Sequence, residues 1–152
     1  MVADKQVFDE IRSALAAAAT REAKAGRTAE LIRGSRNYRW AGIYEIDSEE
    51  IAAIAWTGPD APAFPRFSKT KGLCGAAVRA GAAVVVGDVT KDPRYLTTFG
   101  NTQSEIVVPI FMRAAKSVVG LIDVESGQPN AFHDADRVFL EGCAALVASL
   151  FK

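Results

Sequence analysis

Two short apolar runs with acids set inside them dominate the hydrophobic pattern of this chain. In the first, residues 104–111, Glu105 precedes Ile106, Val107 and Val108. In the second, residues 118–126, Asp123 and Glu125 alternate with Ile122 and Val124. Side chains two residues apart in a strand share a face, so Leu121, Asp123 and Glu125 point the same way. The polar residues 113–117 between the runs predict a turn, and the two strands then pair as a hairpin. That pairing brings Glu105 near Asp123 and Glu125 at one end of a sheet. Acids inside buried strands are costly unless they are paired or face a cavity. A small-molecule pocket with an acidic lining is the expectation.

The remaining pattern surrounds this hairpin with a few further elements. Residues 4 to about 25 carry Val7, Phe8, Ile11 and Leu15 at helical spacing. Gly26 is expected to break that helix and Thr28 to cap a second one, which ends near Gly34. Residues 38–46 and 51–56 read as a strand hairpin around the turn 47–50. Residues 58–65 hold three prolines and predict a loop or edge segment. Gly72 opens a short helix to about Ala80, and Ala83 to Val86 form a small strand. Residues 87–103 have no periodicity and predict a long loop over the pocket. A last helix runs from about His133 to Leu150, with Phe139, Cys143, Leu146, Val147 and Leu150 on one face. Antiparallel strands with helices at both ends of the chain imply an α+β fold. The terminal helices should cover one sheet face, and the short helix and long loop the other.

Length and composition narrow the function without naming it. The 152 residues suit one domain: helices over 1–36, sheet and pocket over 38–126, and a closing helix over 132–151. Eighteen basic and eighteen acidic residues balance, and no basic stripe appears, so nucleic acid is not the expected partner. No apolar run is long enough to span a membrane. The acidic start does not read as a signal peptide. Two distant cysteines suit reduced thiols in a cytoplasm. With one histidine and no metal-ligand spacing, no metal and no cofactor are expected.

Several side chains carry two readings. Tyr38, Trp40, Gly42 and Tyr44 share one strand face, an aromatic surface that suits an ammonium ligand or simple packing under the terminal helices. Glu105 either lines the pocket, pairs with Arg94 or Arg113, or accepts from loop amides. Asp123 and Glu125 bind a cation if their face is the pocket, and are solvated if it is the outer edge. Cys74 precedes a short helix whose dipole would lower a thiol pKa; it is either redox-active or a small apolar filler. Cys143 belongs to the core face of the last helix and is expected to be inert. Tyr95, in the turn Asp92-Pro93-Arg94-Tyr95, reaches the pocket or anchors the loop. His133 is expected at the surface or in a cap.

Six motifs in order, RWAGIYEI (39–46), KGLCGAAVRAG (71–81), VGDVTKDPRY (86–95), SEIVVPI (104–110), GLIDVES (120–126) and FHDADRVFLE (132–141), resemble the GAF domain family over nearly the full length. The layout is most similar to the free methionine-(R)-sulfoxide reductase group. Trp40, the Gly72-Leu73-Cys74-Gly75 turn, Ser104-Glu105-Ile106 and the acids of the next strand match that group. The resemblance implies that Glu105, Asp123 and Glu125 hold a ligand amino group. The chain departs from the group at its reactive loop cysteine, where Thr97-Thr98-Phe99 stand, and at a further cysteine position near Val84. Cys74 alone of the three remains. The expected function is therefore a sensor or binding module for a small polar ligand, amino-acid-like or cationic. The alternative is a reductase of that type, degenerate in its thiols. Pairing of two copies through the terminal helices is the expected oligomeric contact.

Overall fold

A computed structural model describes residues 3–112, 114 and 116–151. The turn residues Arg113 and Ala115 lie outside the described residues. Two helices open the chain, α1 (Asp4–Ala16) and α2 (Arg21–Ser35). Strands β1 (Trp40–Asp47), β2 (Glu50–Thr57) and β3 (Arg66–Ser68) follow, then α3 (Gly72–Ala80) and β4 (Val84–Val86). Strands β5 (Ser104–Phe111) and β6 (Val118–Ser126) lead into α4 (Asp134–Val147), which tightens into a last 3-10 turn, Ala148–Leu150. The six strands form one antiparallel sheet in the order β3-β2-β1-β6-β5-β4.

Strand alternation divides the interior into two cores. Ala41 and Ile43 of β1, Ile106, Val108 and Ile110 of β5, and Ile122 and Val124 of β6 face α1, α2 and α4, where they meet Ile11, Ile32, Phe139, Leu140 and Val147. The alternate positions Trp40, Tyr44, Val107 and Leu121 face α3 and the long loop, and pack with Leu73, Cys74, Ala77 and Val89. The layered α+β arrangement is the one the pattern predicts.

The N-terminal helices break at a different place from the one expected. The chain leaves α1 at Ala17, and Thr20 caps α2 by accepting a hydrogen bond from the Ala23 amide at 3.1 Å. Gly26 and Thr28 lie inside α2. The Thr28 side chain is fully buried, and its hydroxyl donates to the Lys24 carbonyl at 2.8 Å. Both threonines are competent caps. What decides between them is burial, because Ala25, Thr28, Ala29 and Ile32 form the face that α2 presents to the core. Strand β3 was hidden from the pattern by its proline-rich approach; it forms the sheet edge and pairs with Glu50–Ala52. The chain leaving α2 is latched to α1 and α4. Tyr38 donates to Asp136 at 2.6 Å, and Arg36 bonds Asp4 at 2.9 Å while lying over the Phe139 ring. Among the described residues no helix is long and apolar enough to cross a membrane.

Candidate functional site

The β5–β6 register sets Glu105 directly opposite Glu125, and Val107 opposite Asp123. On the other side of β6, Trp40 pairs with Glu125, Gly42 with Asp123, and Tyr44 with Leu121. All three acids therefore stand on the face away from the terminal helices, flanked by the aromatic face of β1. Helix α3 covers them. The Cys74 sulfur and one carboxylate oxygen each from Glu105 and Asp123 lie within 4.8 Å of one another. The residues are closed off from solvent, at 4% exposure for Cys74, Glu105 and Asp123 and 1% for Glu125.

Glycine makes room for the aromatic wall. A Cβ at Gly42 would fall 2.5 Å from the Trp40 ring and 3.0 Å from that of Tyr44. Trp40 packs on Phe99 of the long loop at 5.3 Å between ring centroids and on Tyr44 at 6.4 Å, and its indole N–H donates to the Asp60 carbonyl. Phe67 of β3 meets Tyr44 edge-on. Arg39, Trp40, Pro59, Asp60, Phe99 and Glu125 line a narrow crevice that leaves no space of water size between them.

The long loop, which contains a 3-10 turn at Val89–Lys91, closes the site. Its Thr102 donates to Glu125 Oε1 at 2.8 Å. Among the described residues the buried Tyr95 hydroxyl has no hydrogen-bond partner of good geometry, although Tyr95 is close enough to Glu125 to act on its acidity. Arg94 does not reach Glu105. It pairs with Asp92 of its own turn at 2.7 Å, so the Arg94 reading is overturned. The Arg113 reading lies outside the described residues. His133 occupies the N-cap of α4, where its backbone amide donates to Asp136, as the cap reading expected. Cys143 is fully buried in the helix-side core, across the sheet from Cys74.

Electrostatics make this cluster unusual. Burial, followed by repulsion from Glu125, pushes the Glu105 carboxyl up to about 8. Burial, followed by Asp123, pushes Glu125 up to about 9. Asp123 rises well above its ordinary value, through burial first and Glu105 second. The same two causes, burial and then Asp123, push the Cys74 thiol well above its ordinary value. The helix-dipole expectation for Cys74 is thereby overturned: desolvation beside acids outweighs a short helix. Asp123 Oδ1 and Glu125 Oε2 are buried with no hydrogen-bond donor among the described residues. A donor there has to be a proton shared between carboxyls or an incoming cation.

Sequence spacing missed Thr102, Phe99, Phe67 and Asp60, which reach the site from loops and the edge strand with no periodic signal. It also missed the thiol–carboxylate grouping. Cys74, Glu105 and Asp123 come from α3, β5 and β6, and only the fold brings them together.

Known proteins offer three instructive likenesses. The chain is 36% identical over 109 residues to free methionine-R-sulfoxide reductase of Saccharomyces cerevisiae, covering 71% of this chain and 60% of that protein. It is 32% identical over 105 residues to GAF domain-containing protein A of Dictyostelium discoideum, covering 68% of this chain and 64% of that one. The matches thus span less than two thirds of either relative. The X-ray structure of free methionine-R-sulfoxide reductase from Neisseria meningitidis, in complex with its substrate, superposes with a TM-score of 0.87 at 29% identity, covering 97% of this chain and 87% of that one. The family model of the GAF domain matches residues 20–150, and with the curled six-stranded sheet and its flanking helices this establishes that the chain belongs to the GAF domain family.

Proposed function

We propose that this chain is a ligand-binding GAF domain whose occupant is a small ammonium compound of amino-acid type with an apolar side chain. The observation that carries the reading is the buried acid triad. Among the described residues every charged group acting on Glu105, Asp123 and Glu125 is another acid. Such a cluster is stable only with protons or with a cation in their place. An ammonium group supplies three donors, enough for Asp123 Oδ1, Glu125 Oε2 and a Glu105 oxygen. Trp40, Tyr44 and Phe99 stand beside the acids to receive the apolar part, and aromatic faces favour a neighbouring cation. Closure by the loop fits a sensor, in which ligand occupancy is exchanged for loop order.

The reductase reading is supported by the named relatives and by Cys74 beside the acids. Its chemistry is poorly served here. Sulfoxide reduction by thiols needs a thiolate to attack sulfur and a second thiol to resolve the product. The Cys74 thiol is pushed up, Thr97 and Thr98 stand in the loop, and Cys143 lies across the sheet.

Calorimetry with free L-methionine and L-methionine sulfoxide, each against its N-acetyl derivative, tests both readings. Binding of the free amino acids, lost on acetylation and weakened by Asp123→Asn, is expected. Absence of binding by any free amino acid, or indifference to acetylation, overturns the proposal. Thiol-driven turnover of the sulfoxide on the order of one per second or faster would make the chain an enzyme.

A further inference from the structure

We infer that Cys74, Glu105 and Asp123 form a binding site for a divalent cation of borderline softness, of the zinc or cobalt class. The donor set assembles from three separate elements, α3, β5 and β6. One donor atom from each lies within 4.8 Å of the other two, and all three residues are buried. In a tetrahedral site with metal–sulfur bonds near 2.3 Å and metal–oxygen bonds near 2.1 Å, donors stand about 3.5 Å apart. Closing the triangle by about 1 Å is within the reach of small side-chain rotations at fixed backbone.

A second observation points to a ligand here. Among the described residues Asp123 Oδ1 is buried with no donor, and so is Oε2 of the neighbouring Glu125. A cation satisfies both kinds of orphan oxygen without needing hydrogen-bond geometry. Three protein ligands leave one position open, the arrangement of metal sites that take a further ligand or water. Glu125, paired with Glu105 across the two strands, is a candidate for that fourth position.

The thiol decides which metal. Carboxylates alone suit magnesium, calcium or manganese, whereas a thiolate in the set selects softer ions. Binding releases the thiol proton and any carboxyl protons, so affinity rises with pH. The inference goes beyond the amino-acid reading because it requires Cys74, which an ammonium group does not. The two occupants share Glu105 and Asp123, and they compete.

The test adds cobalt chloride to the reduced full chain and reads the thiolate-to-cobalt charge-transfer absorption in the near ultraviolet. One equivalent should produce the band, zinc chloride should displace it, and magnesium chloride should not. The band should vanish in Cys74→Ala and in Cys74→Ser, and persist in Cys143→Ala. Asp123→Asn should weaken cobalt binding by tenfold or more, on the order of what is lost when a supporting group of a metal site is removed. Circular dichroism confirms that each variant is folded, and having two Cys74 variants guards against the loss of one. No band in the wild type, or a band that survives in both Cys74 variants, overturns the inference. Equal competition by magnesium overturns it too. Amino-acid binding is read separately by calorimetry in Cys74→Ala, which leaves the acids intact. Amino-acid binding without a cobalt band defeats only the metal site; a cobalt band without amino-acid binding defeats only the ammonium reading.

Discussion

Replacing Glu105 by glutamine should flatten the pH dependence of this protein's stability. Burial and the neighbouring Glu125 raise the folded-state value of Glu105 from the ordinary 4.5 to about 8. A carboxyl raised in this way contributes stability that is complete below about 4.5 and is lost as pH rises through about 8. Between these values the folded state holds one proton more than the unfolded state. One proton corresponds to about 1.4 kcal/mol per pH unit. From about pH 5.5 to about pH 7.5 Glu105 alone therefore removes about 3 kcal/mol. With a urea slope near 2 kcal/mol/M, the midpoint falls by about 1.5 M over that range. Asp123 and Glu125 are raised too and steepen the wild-type decline. The acids with lowered values act elsewhere. Asp9, Asp88 and Asp92, held down by Lys5, Thr90 and Arg94, lose their contribution only as pH falls below the usual carboxylate range. The assay is urea unfolding of wild type and Glu105→Gln, followed by circular dichroism across the pH series. The wild type should lose stability as pH rises, and the variant should lose about 3 kcal/mol less over the same interval. Parallel curves for the two proteins, or wild-type stability that rises with pH, would refute the reasoning.

Other consequences can be checked as directly. Gly42→Ala should force the Trp40 ring aside, because the new Cβ would lie 2.5 Å from it; overpacking of this kind costs about 1–3 kcal/mol. Its near-ultraviolet circular dichroism should change while the far-ultraviolet spectrum does not. Thr102→Val removes the donor to Glu125 Oε1 and leaves a second oxygen of that carboxyl orphaned, costing about 1–3 kcal/mol by denaturant unfolding. Because the Thr102 hydrogen bond lowers the Glu125 pKa, the same variant should extend the wild-type decline to higher pH. An amino-acid ligand that seats under the loop should slow amide exchange in residues 95–104 more than in α1 and α4. Equal protection with and without ligand would remove the lid from the proposal.

The hydrophobic pattern alone was enough for the two-layer plan and for the faces of the strand residues that form the site. Side-chain alternation is a property of an extended backbone, so the parity of Trp40, Gly42 and Tyr44, and of Leu121, Asp123 and Glu125, was readable before any fold was known. Tyr38, read on the same face as Trp40, instead lies before β1 and packs in the helix-side core, where it bonds Asp136. The β5–β6 hairpin is local in sequence, and the pattern expected it to bring Glu105 near Asp123 and Glu125; the register that sets Glu105 opposite Glu125 came from the fold. Helix limits in the Ala-rich N-terminus were not legible, because Thr20 and Thr28 are equal as caps and only burial against the sheet separates them. Edge strand β3 was hidden because it is three residues long and follows a proline-rich approach, too short for its own alternation to show. The character of the site belonged to tertiary structure altogether. Whether Cys74 is an acidic thiol at a helix start or a suppressed one depends on what lies across from it. The answer, three buried acids from two other elements, is a matter of position in space that linear spacing does not encode. The same holds for the acids. Their types and faces are written in the chain, but their shifted protonation arises only where the fold removes water from all three at once and sets them beside one another.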